Sequence, residues 1–212
     1  LRRGVLRHQA RGLYPQGVMS AAPSMLLPAG WLLWLFPCCF LLHEAEECFG
    51  LLGRGGGLPE WALRNRRMLT ARHPRLGALF ARLGRISRGW FAAIALEESL
   101  LVVAATLYAA LSCDLRPWLA LFAAFLLHLL LHGLQALVVG CMFPGLVSAV
   151  VALPAGALIW GVAVARSGLS VGEVFCWSIG GALFAGFNLA VMHRLAEHAA
   201  ADRRAGRGKS CR

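Results

Sequence analysis

With 212 residues, 58% of them hydrophobic and only 15% charged, and a mean hydropathy of +0.64, the chain excludes an ordinary water-soluble globule, in which about a quarter of residues are charged. Its net charge of +11 first suggests nucleic acid, but the basic residues are blocked, not spread: of 21 Lys and Arg, nine lie between Arg54 and Arg88, six between Arg194 and Arg212 and four in the first eleven residues. Basic blocks between long apolar runs are the pattern of an integral membrane protein with its basic loops in the cytoplasm, so no nucleic-acid partner is expected.

Residues 1–27 form a separate N-terminal segment, Arg-rich at its start and beginning with Leu. Met19 or Met25 is an alternative start. The first span is expected over Pro28–Leu52, with Pro37 inside it and Gly53 and Gly55-Gly56-Gly57 after it. Residues 54–88 read as a basic connection. A short helix opens near Pro59, and Leu76, Leu79, Phe80 and Leu83 then recur at helical spacing beside Arg72, Arg75, Arg82 and Arg85. That is the pattern of an amphipathic segment lying on anionic headgroups.

Four more spans follow, at about Gly89–Leu111, Pro117–Val139, Phe143–Ala165 and Val171–Leu195. Residues 197–212 read as a basic, disordered tail. The fold class is therefore all-α: a polytopic transmembrane helix bundle of about five spans over residues 28–196, plus the basic interfacial segment. An odd number of spans puts the N-terminus outside and the C-terminus in the cytoplasm, as in a bacterial inner membrane. Starting at Met19, the outer N-terminal segment carries no Lys or Arg before the first span, which favours that start. Membrane lipids are the expected surroundings. The seven cysteines form no C-x-x-C pair and read as small hydrophobes.

Against this apolar background the ionisable residues inside the spans stand out, because each costs a few kcal/mol at membrane depth and so faces a protein interior. The first span carries His43-Glu44-Ala45-Glu46-Glu47, the second Glu97-Glu98, and the third His128, His132 and Gln135. At a rise of about 1.5 Å per residue, His43, Glu97, Glu98 and His132 fall at one level, roughly 12–14 Å from the cytoplasmic edge. His128 lies about one turn deeper and Glu47 about one turn shallower. His43, Glu46 and Glu47 share one helical face, as do His128 and His132. Glu44 points off that face and is expected to be replaceable.

Imidazoles and carboxylates from facing helices are the ingredients of a metal site in a bundle core. The candidate ligands are His43, Glu46, Glu47, Glu97, His128 and His132, for zinc, iron or manganese. Glu47 and Glu98 are the candidate catalytic carboxylates. The zinc-protease patterns H-E-x-x-H and H-x-x-E-H both fail at Glu47. A proton or ion relay and a structural network of buried hydrogen bonds use the same residues, and both remain open. Asn188 and His193 in the fifth span are candidate supports. Pro144-Gly145 reads as a helix-starting turn. The small residues Gly180, Gly181, Ala185 and Gly186 read as a close-packing face.

His43-x-x-Glu46-Glu47 resembles the motif of the HXXEE family of membrane proteins, which has no established function. The similarity covers nearly all of residues 30–165: the motif in the first span, an acidic residue in the second, a histidine in the third, then a Tyr-x-Pro-Gly turn. Here the turn reads Met142-Phe143-Pro144-Gly145, with Met142 in the tyrosine place. The resemblance implies a membrane enzyme and supplies no substrate. The position of the site in the inner half of the bilayer suggests a lipid-like or amphiphilic one, transformed by a metal-dependent hydrolase or oxidase.

Overall fold

Seven helices follow one another in the computed structural model: α1 Trp31–Phe49, α2 Leu58–Arg72, α3 Pro74–Leu83, α4 Arg88–Ser112, α5 Arg116–Val139, α6 Leu146–Ser167 and α7 Val171–Lys209. The structure describes residues 30–50 and 56–209, with side chains to residue 200, and these residues contain no strand. The N-terminal segment, its alternative starts, and both expected ends of the first span lie outside the described residues.

Local sequence sets the boundaries. Ser87 caps α4 by accepting the Trp90 backbone N–H at 3.4 Å. Pro117 sits in the first turn of α5, where its missing N–H costs nothing. Pro74 cannot donate to continue α2, so the basic connection breaks into the α2–α3 hairpin instead of a single surface helix. The apolar face of that hairpin is divided. Phe80 is buried and Leu76 and Leu83 pack partly against the bundle, whereas Leu79 points outward. At the other end, α7 runs on to Lys209, so residues 197–209, expected to be disordered, are helical. The alanines and arginines of this stretch are good helix formers.

The four helices α4, α5, α6 and α7 are long and apolar enough to cross a membrane. The expected first span, α1, falls short of that standard. It has 19 residues and carries Glu44, Glu46 and Glu47 in its second half. Its exposure is nevertheless inverted relative to a water-facing helix. His43, Glu44, Glu46 and Glu47 are buried, while Trp31, Leu41 and Leu42 are exposed, Leu42 at 66%. Burying every ionisable group and turning leucines outward suits an apolar surrounding.

Helix α5 is central. It packs on α4, α6 and α7, while α1 lies against α4 and α6. The interior has two apolar layers. One is aromatic: Phe36 stacks on Phe122 at 4.4 Å, with Trp118 at 5.8 Å and Phe40 5.2 Å from Phe125. Its indoles are satisfied, Trp118 donating to the Leu33 carbonyl and Trp160 to that of Leu119. The other layer joins the hairpin residues Leu58, Ala62, Leu69 and Phe80 to Phe91, Ile94, Val139 and Phe143. Among the described glycines of α7, Gly181 alone sits where a β-carbon would collide with a neighbouring helix, at the Ala120 carbonyl of α5. Gly180 and Gly186 face open space.

Candidate metal centre

Between the two apolar layers lies a polar one. The His43 ring sits 5.7 Å from Phe125 on one side, and the His132 ring 5.4 Å from Phe143 on the other. His43 and Glu47 are one helical turn apart on α1, and His128 and His132 one turn apart on α5. The two pairs interlock across the helix interface. His43 Nε2 lies 3.0 Å from His128 Nε2, and Glu47 Oε1 lies 2.7 Å from His132 Nε2. His128 and His132 present their Nε2 atoms 3.0 Å apart. Glu47 Oε1 is 3.6 Å from His43 Nε2 and 3.8 Å from His128 Nε2. One donor atom from each of the four residues lies within 4.8 Å of all the others.

Helix α6 orients this group. The backbone turns sharply at Pro144-Gly145, and Gly145 adopts φ +94° at the head of α6. A β-carbon at Gly145 would lie 2.8 Å from Glu47 Oε1 and 3.1 Å from His132 Cε1, so only glycine lets the turn close on the site. One turn on, Ser148 donates its hydroxyl hydrogen to the Gly145 carbonyl at 3.1 Å. Its oxygen, 2.9 Å from His43 Nδ1, therefore accepts the hydrogen of that ring nitrogen. This arrangement matches the His43 tautomer whose Nε2 carries a bare lone pair facing the cluster.

Two buried polar atoms of the cluster are left unpaired. Glu47 Oε1 is buried without a hydrogen bond, despite lying 2.7 Å from His132 Nε2, and His132 Nδ1 is buried without a partner. A carboxylate oxygen and imidazole lone pairs crowded in an apolar layer cost several kcal/mol unless something positive sits among them. A tetrahedral ion with bonds of about 2.0–2.1 Å separates its ligands by about 3.3 Å. The five distances above, 2.7 to 3.8 Å, bracket that separation. Three imidazoles and one carboxylate suit zinc, iron or manganese. The residues present therefore fit a divalent metal.

The remaining expected site residues are placed elsewhere. Glu46, although on the motif face, accepts the Ser148 backbone N–H at 2.7 Å and so braces α6. Glu97 accepts from the Asn188 side chain at 2.9 Å, which ties α4 to α7 and leaves neither residue in the cluster. Glu98 is half-buried, close enough for its charge to act on His128 and Glu47. Glu44, expected to point off the working face, is buried as well, at 8% exposed. Ser148 and the packing role of Gly145 are absent from the sequence expectations. The available signal was that Ser148 is the lone polar side chain in α6 before Arg166, three residues after a Pro-Gly turn.

Access is one-sided. The side chains of His43, Glu47 and His132 are almost wholly enclosed, whereas that of His128 is 36% exposed. Its neighbours on the outer surface of α5 include the exposed Leu127 and Leu131. His128 is thus the member of the cluster that reaches the surface, on an apolar flank. The family described as "Protein of unknown function with HXXEE motif" matches residues 34–160, a stretch that contains all four converging residues and Ser148. No curated protein and no solved structure matches the chain.

Proposed function

Because the chain belongs to the HXXEE-motif family, whose function is unknown, we propose its role from the site itself: a membrane enzyme that uses a divalent metal on a lipid-like or amphiphilic substrate. The observation that carries this reading is the convergence of His43, Glu47, His128 and His132 within 4.8 Å, in a layer closed on both sides by aromatic side chains. These four residues would hold zinc, iron or manganese. A divalent metal supplies Lewis acidity and a bound water acidified to about neutral pH.

The chain's own groups do the rest. Ser148 keeps His43 Nε2 aimed at the centre. Glu47 brings the negative charge that offsets a divalent cation. Glu98, near the cluster and outside it, would take a proton as general base and return it as general acid. The half-exposed His128 marks the side from which substrate arrives, and the leucines around it suit an acyl chain. This donor set would suit hydrolysis by a water molecule, or, if the metal were iron, oxidation with dioxygen as the oxidant. In the same reading α1 is a fifth span, with the N-terminus outside. The arginines of residues 54–88 and the basic C-terminus then share the cytoplasmic side of an inner membrane.

The test is turnover of amphiphilic esters and amides by detergent-purified protein. Activity that vanishes on metal stripping, returns with zinc, iron or manganese, and is missing from His43→Ala supports the proposal. A second reading rests on the short steps linking His43, His128, His132 and Glu47, at 3.0, 3.0 and 2.7 Å, which also suit proton transfer along a relay. Proton flux in proteoliposomes that persists after metal stripping would favour the relay and overturn the enzyme.

A further inference from the structure

The outer surface of the α2–α3 hairpin is almost purely cationic. Arg64, Arg66, Arg67, Arg72, Arg75, Arg82 and Arg85 are all exposed. The single acidic residue within α2 and α3 is Glu60, and it is engaged by Arg88. Hydrophobic residues are set into this surface. Leu63 (51% exposed) precedes Arg66, Arg67 and Thr70 along one stripe of α2, and Leu79 (55% exposed) lies between Arg75 and Arg82 on α3. The opposite faces of both helices are anchored in the inner apolar layer through Leu58, Ala62, Leu69 and Phe80. The hairpin is thus a fixed platform.

Between its helices lies a shallow cleft of 410 Å³ lined by Arg66, Arg67, Thr70, Ala71 and Ala81. The cleft surface is mostly apolar, and Arg66, Arg67 and Thr70 at its edge bring the groups that suit a phosphodiester, which guanidinium binds through paired, charge-assisted hydrogen bonds. The location decides the source of that phosphate. Leu83, the last residue of α3, is separated by four residues from Arg88, the first residue of a helix long and apolar enough to span a membrane. The cleft is therefore tethered at headgroup level, where exposed leucines enter the acyl boundary and arginines stay among phosphates.

We infer that the α2–α3 hairpin is a binding site for an anionic glycerophospholipid, whose headgroup phosphate occupies the Arg66–Arg67–Thr70 cleft. The site is separate from the metal centre and holds whether or not a metal binds there. The experiment is native mass spectrometry of the full chain in detergent, titrated with phosphatidylglycerol, phosphatidylcholine, glycerol phosphate and a short RNA. Phosphatidylglycerol is expected to bind at least about tenfold more tightly than phosphatidylcholine, since an arginine near an anionic headgroup contributes about fivefold. The double variant Arg66→Glu/Arg67→Glu loses that preference and leaves the thermal melting point unchanged. Arg166→Glu, in the last turn of α6, keeps it. Equal affinity for the two lipids, or an unaltered preference in the double variant, overturns the inference. So does displacement of the lipid by glycerol phosphate at equal concentration, which would make the site one for free phosphate. RNA that binds as tightly and competes would overturn it in favour of nucleic acid.

Discussion

Replacing Gly145 by alanine tests how closely α6 is fitted to the cluster. Two costs arise. A positive φ of +94° is strained for any residue with a β-carbon, by about 1–2 kcal/mol. The new methyl would also lie 2.8 Å from Glu47 Oε1, 2.9 Å from Glu47 Cγ and 3.1 Å from His132 Cε1, an overpacking of about 1–3 kcal/mol. Gly140 provides the control. Its φ is +70° and nothing lies within 4 Å of a β-carbon there, so Gly140→Ala carries the backbone cost alone. The difference between the two variants isolates the clash. If Glu47 and His132 give way, the clash emerges as a loss of metal affinity of about 5- to 150-fold, at a factor of ten per ~1.4 kcal/mol. If α6 gives way instead, it emerges as lower thermal stability. The assay is a competition titration against a chromophoric chelator, run beside melting curves in detergent. A Gly145→Ala protein that matches Gly140→Ala in both measurements would refute the claim that the Pro-Gly turn shapes the site.

Ser148→Ala is expected to weaken metal binding by about 10- to 100-fold in the same titration, because His43 loses the acceptor that fixes its tautomer. Ser148→Thr should recover most of the loss. Glu97→Ala should leave metal content intact and cost about 0.6 kcal/mol, the average for hydrogen bonds between membrane helices, and at most about 1.7 kcal/mol, as seen in melting curves. Glu47→Gln, in contrast, should empty the site. Acidification should release the metal, since protons compete for imidazole lone pairs that bind only when neutral. Any stability the metal confers is then present near neutral pH and lost as pH falls, which melting curves across a pH series would show.

Much of this architecture was legible in the residues. Long apolar runs set helices α4 to α7, and counting depth from the helix ends placed His43 and His132 together. The i, i+4 spacing set His43 with Glu47, and His128 with His132, on shared helical faces. What the sequence left open was rotation about each helix axis. Glu46 shares the motif face, yet a slight turn of α1 directs it at the α6 backbone. Glu97 and Glu98 are neighbours in sequence on α4. Asn188 on α7 claims Glu97, a contact 91 residues away that no local pattern reveals. Ser148 escaped notice for the same reason, as its partner His43 is 105 residues distant. The apolar pattern of residues 76–83 carried two meanings, because the same leucines can face lipid or another part of the bundle. Phe80 took the bundle and Leu79 the surface.

The central claim is that His43, Glu47, His128 and His132 share one cation. Elemental analysis of the full chain, purified in detergent without chelators, addresses it directly, with His132→Ala and Glu47→Gln purified alongside and all three checked for an intact fold by their melting curves. The account predicts a single divalent ion per chain in the unaltered protein and essentially none in either variant. A folded protein that carries no metal, and whose melting curve does not move when zinc, iron or manganese is added, would contradict it.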